Sequence, residues 1–363
     1  MDEKMKVLKL LEDGKISAEE ATKLLDALKD NTDSTTRNNK NKYFTKELSY
    51  GFNTLSRVAK ELFGPVVAEF GETLKDLPAT IITPFRDFDY SREFTIKEMI
   101  KDEIMISVDG KVDSFKFLKS KDNELRVEGK IFVSSTDLNK SSKMPSLEFE
   151  RSDRSIKLIS TANSIDLYRI EATIYIPQDI KLVCNTKTGN IEVEGVTAIA
   201  ELNAKLGKIT MNNNSGDVTA MTKGGTINVK NHTGTINLDV KNGSLVADNI
   251  IGDSHLKCTN GLVELNNPVG LVDIEVSTGS IKVNFSKNIS EDKHSIISKT
   301  GMIHLFFNEQ SDAKVSAVTK LGSVIVDPVF KNRDGLVKIG EGGPEIVTET
   351  KIGTITISKL NEE

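Results

Sequence analysis

The stretch that decides the fold is KGGTINVKNHTGTINLDVKNGSL, residues 223–245. Glycine recurs at Gly225, Gly234 and Gly243, and after each comes an apolar-polar-apolar triplet. Extended in both directions, the nine-residue grid places glycine at 189, 207, 216, 225, 234, 243, 252, 261, 270 and 279, with Ala198 as the exception. The second and fourth residues after each grid position are apolar in 21 of 22 cases, Ser254 being the exception. Period-two alternation marks a strand with one buried face. Each nonapeptide is therefore a glycine turn followed by a short strand.

A fixed period implies stacking, because each repeat covers the apolar face its neighbour leaves open. A second period, of eighteen, sets the size of one lap. Lys187, Lys205, Lys223 and Lys241 recur every eighteen residues, as do Asn213, Asn231, Asn249 and Asn267. One coil is thus two strands and two turns. Stacked asparagines are positioned to pass amide hydrogen bonds along the axis, and glycine supplies a turn conformation closed to other residues. Downstream, KTGMIHLFF (299–307), KLGSVIVD (320–327) and KIGTITIS (351–358) repeat the pattern with longer loops between them. Upstream, segments such as NELRVEGKIFV (123–133) alternate without a strict period. The fold class read from these patterns is mainly β: a single-stranded β-solenoid of about 18 residues per coil, with irregular first coils, spanning 86–363. The five strict coils predict a rod of roughly 24 Å at ~4.8 Å per coil, and the whole domain two to three times that.

An α-helical region is expected before the solenoid. In residues 1–30, Gly14 stops a first helix and Ser17 with Glu20 forms a capping box for a second. Ala21, Leu24, Leu25 and Leu28 form its apolar stripe. So small a hairpin cannot bury enough surface alone. Its stripe must dock on the rest of the chain, on a second copy, giving a homo-oligomer, or on a protein partner. Residues 31–42, NTDSTTRNNKNK, read as a flexible linker. Residues 43–85 read as an amphipathic helical segment, interrupted at Gly64-Pro65. Its basic and acidic residues balance, whereas membrane-surface helices carry a basic excess. Capping of the next domain or helix association therefore outweighs membrane contact.

GKISAEEATKLLDAL (14–28) resembles the N-terminal hairpin of YvlB/LiaX-type bacterial proteins. YRIEATIYIPQDIKLVCNTKTGNIEVEGV (168–196), followed by repeated TGxIxV, is similar to the "putative adhesin" β-solenoid domain. The resemblance implies a non-enzymatic protein of the Gram-positive cell-envelope stress response, and it carries no catalytic motif.

Bulk properties narrow the function. The net charge of -5 provides no field for nucleic acid. Trp is absent and aromatics are 6%, which disfavours stacked-ring carbohydrate or base platforms. The opening MDEKMKVLKLLEDG carries acids throughout, unlike a signal peptide, and no 18-residue apolar run occurs. The expected location is cytoplasmic, with a peripheral membrane position or surface exposure by another export route left open. No P-loop, G-x-S-x-G or C-x-x-C is present, and the four histidines lack metal spacing. Calcium rolls need G-G-x-G-x-D, but Asp217 and Asp253 stand isolated. Asp253, Glu264 and Asp273 could share a face, as an acid-based polysaccharide enzyme requires, although charged outward strand positions are ordinarily solvated. His255 falls at an outward position. No cofactor, metal or catalytic residue is assigned.

One constellation remains. Lys187, Lys205, Lys223 and Lys241 should stack at one edge, with Lys299, Lys320 and Lys351 holding the same place in their motifs. Such a row either binds an anionic lipid or cell-wall polymer, or keeps the turns soluble and blocks lateral aggregation. The leading reading is a binding scaffold, a rigid rod with a docking hairpin. The alternatives are a self-polymerising rod, a surface adhesin and a polysaccharide-active enzyme.

Overall fold

The computed structural model describes residues 90–100, 104–122, 124–133, 145–161, 168–177, 180–285, 289–308, 310–333 and 335–360. All belong to the compact unit Phe85–Glu363. The expected hairpin, linker and amphipathic segment, with Ala21, Leu24, Leu25 and Leu28, lie outside the described residues.

The chain forms stacked laps of parallel strand. Ala198–Ser215, Val218–Thr233, Ile236–Ile251, Ser254–Val269 and Val272–Phe285 each pair with the next in a register offset of 18, as in Ile209↔Ile227 and Ile227↔Leu245. His294–Phe307 continues the stack after a longer connection. Each lap bends at glycine. In the first glycine column, Gly207, Gly225 and Gly243 have φ of 144°, 140° and 141°, and a Cβ on any of them would overlap the carbonyl oxygen of the glycine one lap earlier. Both the backbone angle and the close stacking exclude a side chain.

At the opposite bend the asparagines do the work. Asn213, Asn231, Asn249 and Asn267 adopt left-handed conformations, with φ between 51° and 55°. Their side chains form a ladder: Asn231 Nδ2 donates to Asn213 Oδ1 at 2.9 Å, Asn249 to Asn231 at 3.0 Å and Asn267 to Asn249 at 3.1 Å. Asparagine tolerates this region better than other residues with a Cβ. The ladder also satisfies an amide donor and an amide acceptor on every internal member.

The interior is aliphatic. Ile227, Ile236 and Val263 are fully buried within one common core. The residue following each ladder asparagine also turns inward, giving the buried column Asn214, His232, Ile250 and Pro268. Alternation along a strand does not announce this extra inward position. At ~1.5–3 kcal/mol for each fully buried large aliphatic side chain, every added lap contributes several such terms.

Both ends depart from chain order. Met105–Asp109 and Ser114–Lys119 form a lap lying between Ser155–Ser160 with Tyr168–Ile176 on one side and Ile180–Thr188 with Ile191–Glu194 on the other. At the far end, Glu345–Lys359 is inserted between His294–Phe307 and Ala313–Val326. The three downstream motifs are thus not stacked in sequence order: the last fills the middle place. Antiparallel strands close the ends. Glu124–Val133 and Tyr90–Met99 extend one face of the first end, and Leu147–Ser152 the other. Leu336–Ile339 lies antiparallel on Ala313–Ser316 at the second end. Inside that end Phe285 and Phe307 stack with centroids 5.1 Å apart, and Phe330 meets Phe307 edge-on.

Candidate functional site

The lap length fixes where the lysines go. Residues two before the first glycine column sit at the bend, exposed, and the offset of 18 superimposes them along the axis. Lys187, Lys205, Lys223 and Lys241 all line one groove of about 540 Å³. Lys111 joins them from the out-of-order lap. Its place follows from Asp109↔Asn185 pairing. Nothing in the local sequence signals it, because its lap carries Asp113 where the others carry the column glycine.

The groove has a polar wall built by another amide relay. Asn203 Nδ2 donates to Asn185 Oδ1 at 3.0 Å, and Asn185 Nδ2 donates to Asp109 Oδ1 at 2.9 Å. Lys157 pairs with Asp109 at 3.4 Å. Ile159, Ala204 and Met221 supply apolar lining, and Asp239 is the second acid of the groove. Lys187, Lys205, Lys223 and Lys241 have no acidic partner among the described residues, whereas several lysines on the flat faces do. Lys116 reaches Glu192 at 2.7 Å and Glu194 at 3.1 Å, Lys257 pairs with Glu275 at 3.7 Å, and Lys282 with Glu264 at 3.0 Å. The hydrogen bonds Lys116 donates to those two glutamates raise its pKa. Like charges one strand spacing apart repel by about 1 kcal/mol even in bulk water. A row left unneutralised is therefore a standing attraction for anions.

Asp113 lies in the same lap as Lys111. It is buried, and its Oδ2 accepts from Lys111 N at 2.9 Å and its Oδ1 from Ile170 N at 3.1 Å. Burial raises its pKa against the lowering effect of those bonds. Its role is to tie two laps together.

The acids weighed for catalysis do not converge. Asp253 Oδ1 accepts from Leu271 N at 3.0 Å, Glu264 pairs with Lys282, and Asp273 meets His255 at 3.5 Å. Asp217 likewise caps a bend, accepting from Thr235 N at 3.0 Å. His255 is at the outward position expected of it. His232 and His294 face inward instead. His232 Nε2 donates to Gly216 O at 2.8 Å, while Val272 N donates to His294 Nδ1 at 3.1 Å and His294 Nε2 to Ser290 O at 3.0 Å. Burial lowers both histidine pKa values and keeps the rings neutral. Cys184 and Cys258 are unpaired and buried. Burial pushes the Cys258 thiol up to about 12 and Cys184 well above the usual range, so neither is a poised nucleophile. Among the described residues no group of three His, Cys, Asp or Glu is placed to hold a metal.

Stacked laps with antiparallel ends and a basic groove along one bend define a β-solenoid. The family model described as Toastrack DUF4097 matches residues 95–358, most of the chain. The chain belongs to that family. A SHOCT-like domain model matches residues 2–33. No curated protein sequence matches. Among solved structures, the chain is similar to a "putative adhesin" from Bacteroides fragilis, with 13% identity, TM-score 0.31, and 74% of this chain and 97% of that one covered. It is also similar to a "putative cell adhesion protein" from Clostridium sporogenes, with 14% identity, TM-score 0.16, and coverage of 74% and 100%. A third is a "putative lipid binding protein" from Parabacteroides distasonis, with 13% identity, TM-score 0.27, and coverage of 74% and 97%.

Proposed function

We propose that this protein is a non-enzymatic binding scaffold of the bacterial cell envelope that holds an anionic ligand in the lysine groove. The observation carrying this reading is the convergence of Lys187, Lys205, Lys223 and Lys241 on one groove with no acidic partner among the described residues. What sets the four apart is their stacking in one groove, since outward lysines elsewhere are paired in some laps, as at Lys116, Lys257 and Lys282, and unpaired among the described residues in others, as at Lys181 and Lys230. The stacked core supplies rigidity, so the lysines are held at fixed intervals before any ligand arrives. Residues 1–30 serve as a docking element for a protein partner or second copy, with Ala21, Leu24, Leu25 and Leu28 as the contact stripe. The envelope stress role rests on the family resemblance of that segment and of the solenoid. The working position is the cytoplasm, peripheral to the membrane.

The test is binding of short inorganic polyphosphate to the full chain, with Lys205, Lys223 and Lys241 replaced by Glu. Loss of binding with unchanged thermal stability supports the groove. Equal binding by wild type and variant ends the reading. End-to-end polymerisation is disfavoured by the antiparallel strands at both ends, which interrupt parallel stacking.

A further inference from the structure

We infer that the ligand is a long, linear phosphate polymer that runs the length of the solenoid along one bend. This rests on the groove reading above and extends it. The register carries the lysine column well past the groove. Lys241 is followed one lap on by Thr259 and then Ser277, fixed by Val240↔Cys258 and Cys258↔Val276. Ser277 is followed by Lys299, fixed by Val276↔Ser298. Lys299 is followed by Lys351, fixed by Ser298↔Thr350, and Lys351 by Lys320, fixed by Thr319↔Thr350. The column therefore reads Lys111, Lys187, Lys205, Lys223, Lys241, Thr259, Ser277, Lys299, Lys351, Lys320. Two lysine blocks are bridged by two hydroxyls, over about 43 Å at ~4.8 Å per strand. The out-of-order lap is what completes it, because Lys351 fills the place between Lys299 and Lys320.

Lys299, Lys351 and Lys320 are exposed and, like the groove's four, have no ion pair among the described residues. The hydroxyls donate hydrogen bonds to phosphate oxygens without adding charge. A ligand spanning both blocks must be extended. The flanking column selects a thread over a plane. Asp109, Asp239, Glu275 and Glu349 sit two residues before their column members, on the outward face, with one lysine among them, Lys257, paired to Glu275. A flat anionic membrane would meet those carboxylates together with the lysines. A single polymer strand following the bend runs along the lysines and passes only the two acids that line the groove, Asp239 and the Lys157-paired Asp109. Each block then binds a different segment of one chain, so the second contact is made at high effective concentration.

The experiment measures affinity of the full chain for inorganic polyphosphate of ~10 and ~100 residues, and for vesicles of equimolar phosphatidylglycerol and phosphatidylcholine. The long polymer should bind at least about tenfold tighter per chain than the short one. Lys299→Glu, Lys320→Glu and Lys351→Glu together should erase that advantage, while short-chain binding by the groove lysines persists. The corresponding Gln variants should reduce it with less charge perturbation. Short-chain binding that needs Lys205, Lys223 and Lys241 but shows no length advantage overturns the inference and leaves the groove intact. Indifference of the short chain to those three lysines overturns the groove as well. Vesicle binding that needs both blocks, with polyphosphate needing neither, also overturns the inference.

Discussion

Ile355 pairs in parallel register with Ile303, although 313–326, not 345–359, is the next strand segment after Ile303 in the chain. The last strand is therefore an internal lap, with Val324 paired to Ile355 on its other side. Ile303 and Ile355 are both fully buried. Closing the far end of the molecule must wait for the final residues of the domain.

Truncation after Gly343 should therefore cost more than loss of a terminal strand. It removes the partner of both His294–Phe307 and Ala313–Val326. Hydrogen exchange should show protection lost across 294–326 while 198–269 stays protected. Uniform retention of protection across 294–326 would show that the two neighbours close on each other.

The asparagine ladder permits a graded test. Asn249→Ala removes a donor and an acceptor from the ladder and places Ala in a left-handed conformation. The expected cost is about 2 kcal/mol by urea denaturation. Asn249→Gly keeps the backbone relaxed and should cost roughly half as much.

Two glycines separate backbone angle from stacking. Gly243→Ala puts a Cβ into the carbonyl oxygen of Gly225 at a φ of 141°, and should cost more than about 3 kcal/mol. Gly195 has a φ of 67° with nothing within 4 Å of an added Cβ. Gly195→Ala should cost only ~1–2 kcal/mol, the strain of the left-handed conformation. Equal melting temperatures for the two variants would remove the stacking argument.

Stability should fall on mild acidification. His232 and His294 have pKa values lowered by burial, so the unfolded chain takes up protons first. Their contribution is fully present above the unfolded value of ~6.5 and is lost as pH falls from there towards the folded values. Protonated His294 would also present an N–H to Val272 N, which donates to it when neutral. Denaturation at pH 7.5 and 5.5 should show a larger loss for wild type than for His232→Asn/His294→Asn. Equal losses would place the acid sensitivity elsewhere.

Much of the architecture was legible because the central laps are strictly periodic. Glycine at 207, 225 and 243 announced the bends, and the eighteen-residue spacing of asparagine and lysine gave the lap. Lap order at the ends was not legible. Met105–Asp109 pairs with residues both 50 and 76 positions away, as in Met105↔Ser155 and Met105↔Lys181. No local period reports such separations. Lys111 was missed for the same reason, since Asp113 replaces the glycine that marks the column elsewhere. The inward His232 was missed because the left-handed Asn231 resets the alternation. The lysine row was visible in the sequence. Its convergence on one groove and its continuation past the groove, which give it meaning, required the register.

The order of laps at the far end underlies both the core and the lysine column, and cysteine cross-linking measures it most directly. Outward His304 pairs with Thr356, and Thr356 with Ile325. Under mild oxidation, His304→Cys/Thr356→Cys should form a disulfide, because neighbouring strands lie within bonding reach. His304→Cys/Ile325→Cys should not, being two laps apart. Cross-linking of the second pair and not the first would mean that the laps stack in chain order, which contradicts the inserted strand and the column built on it.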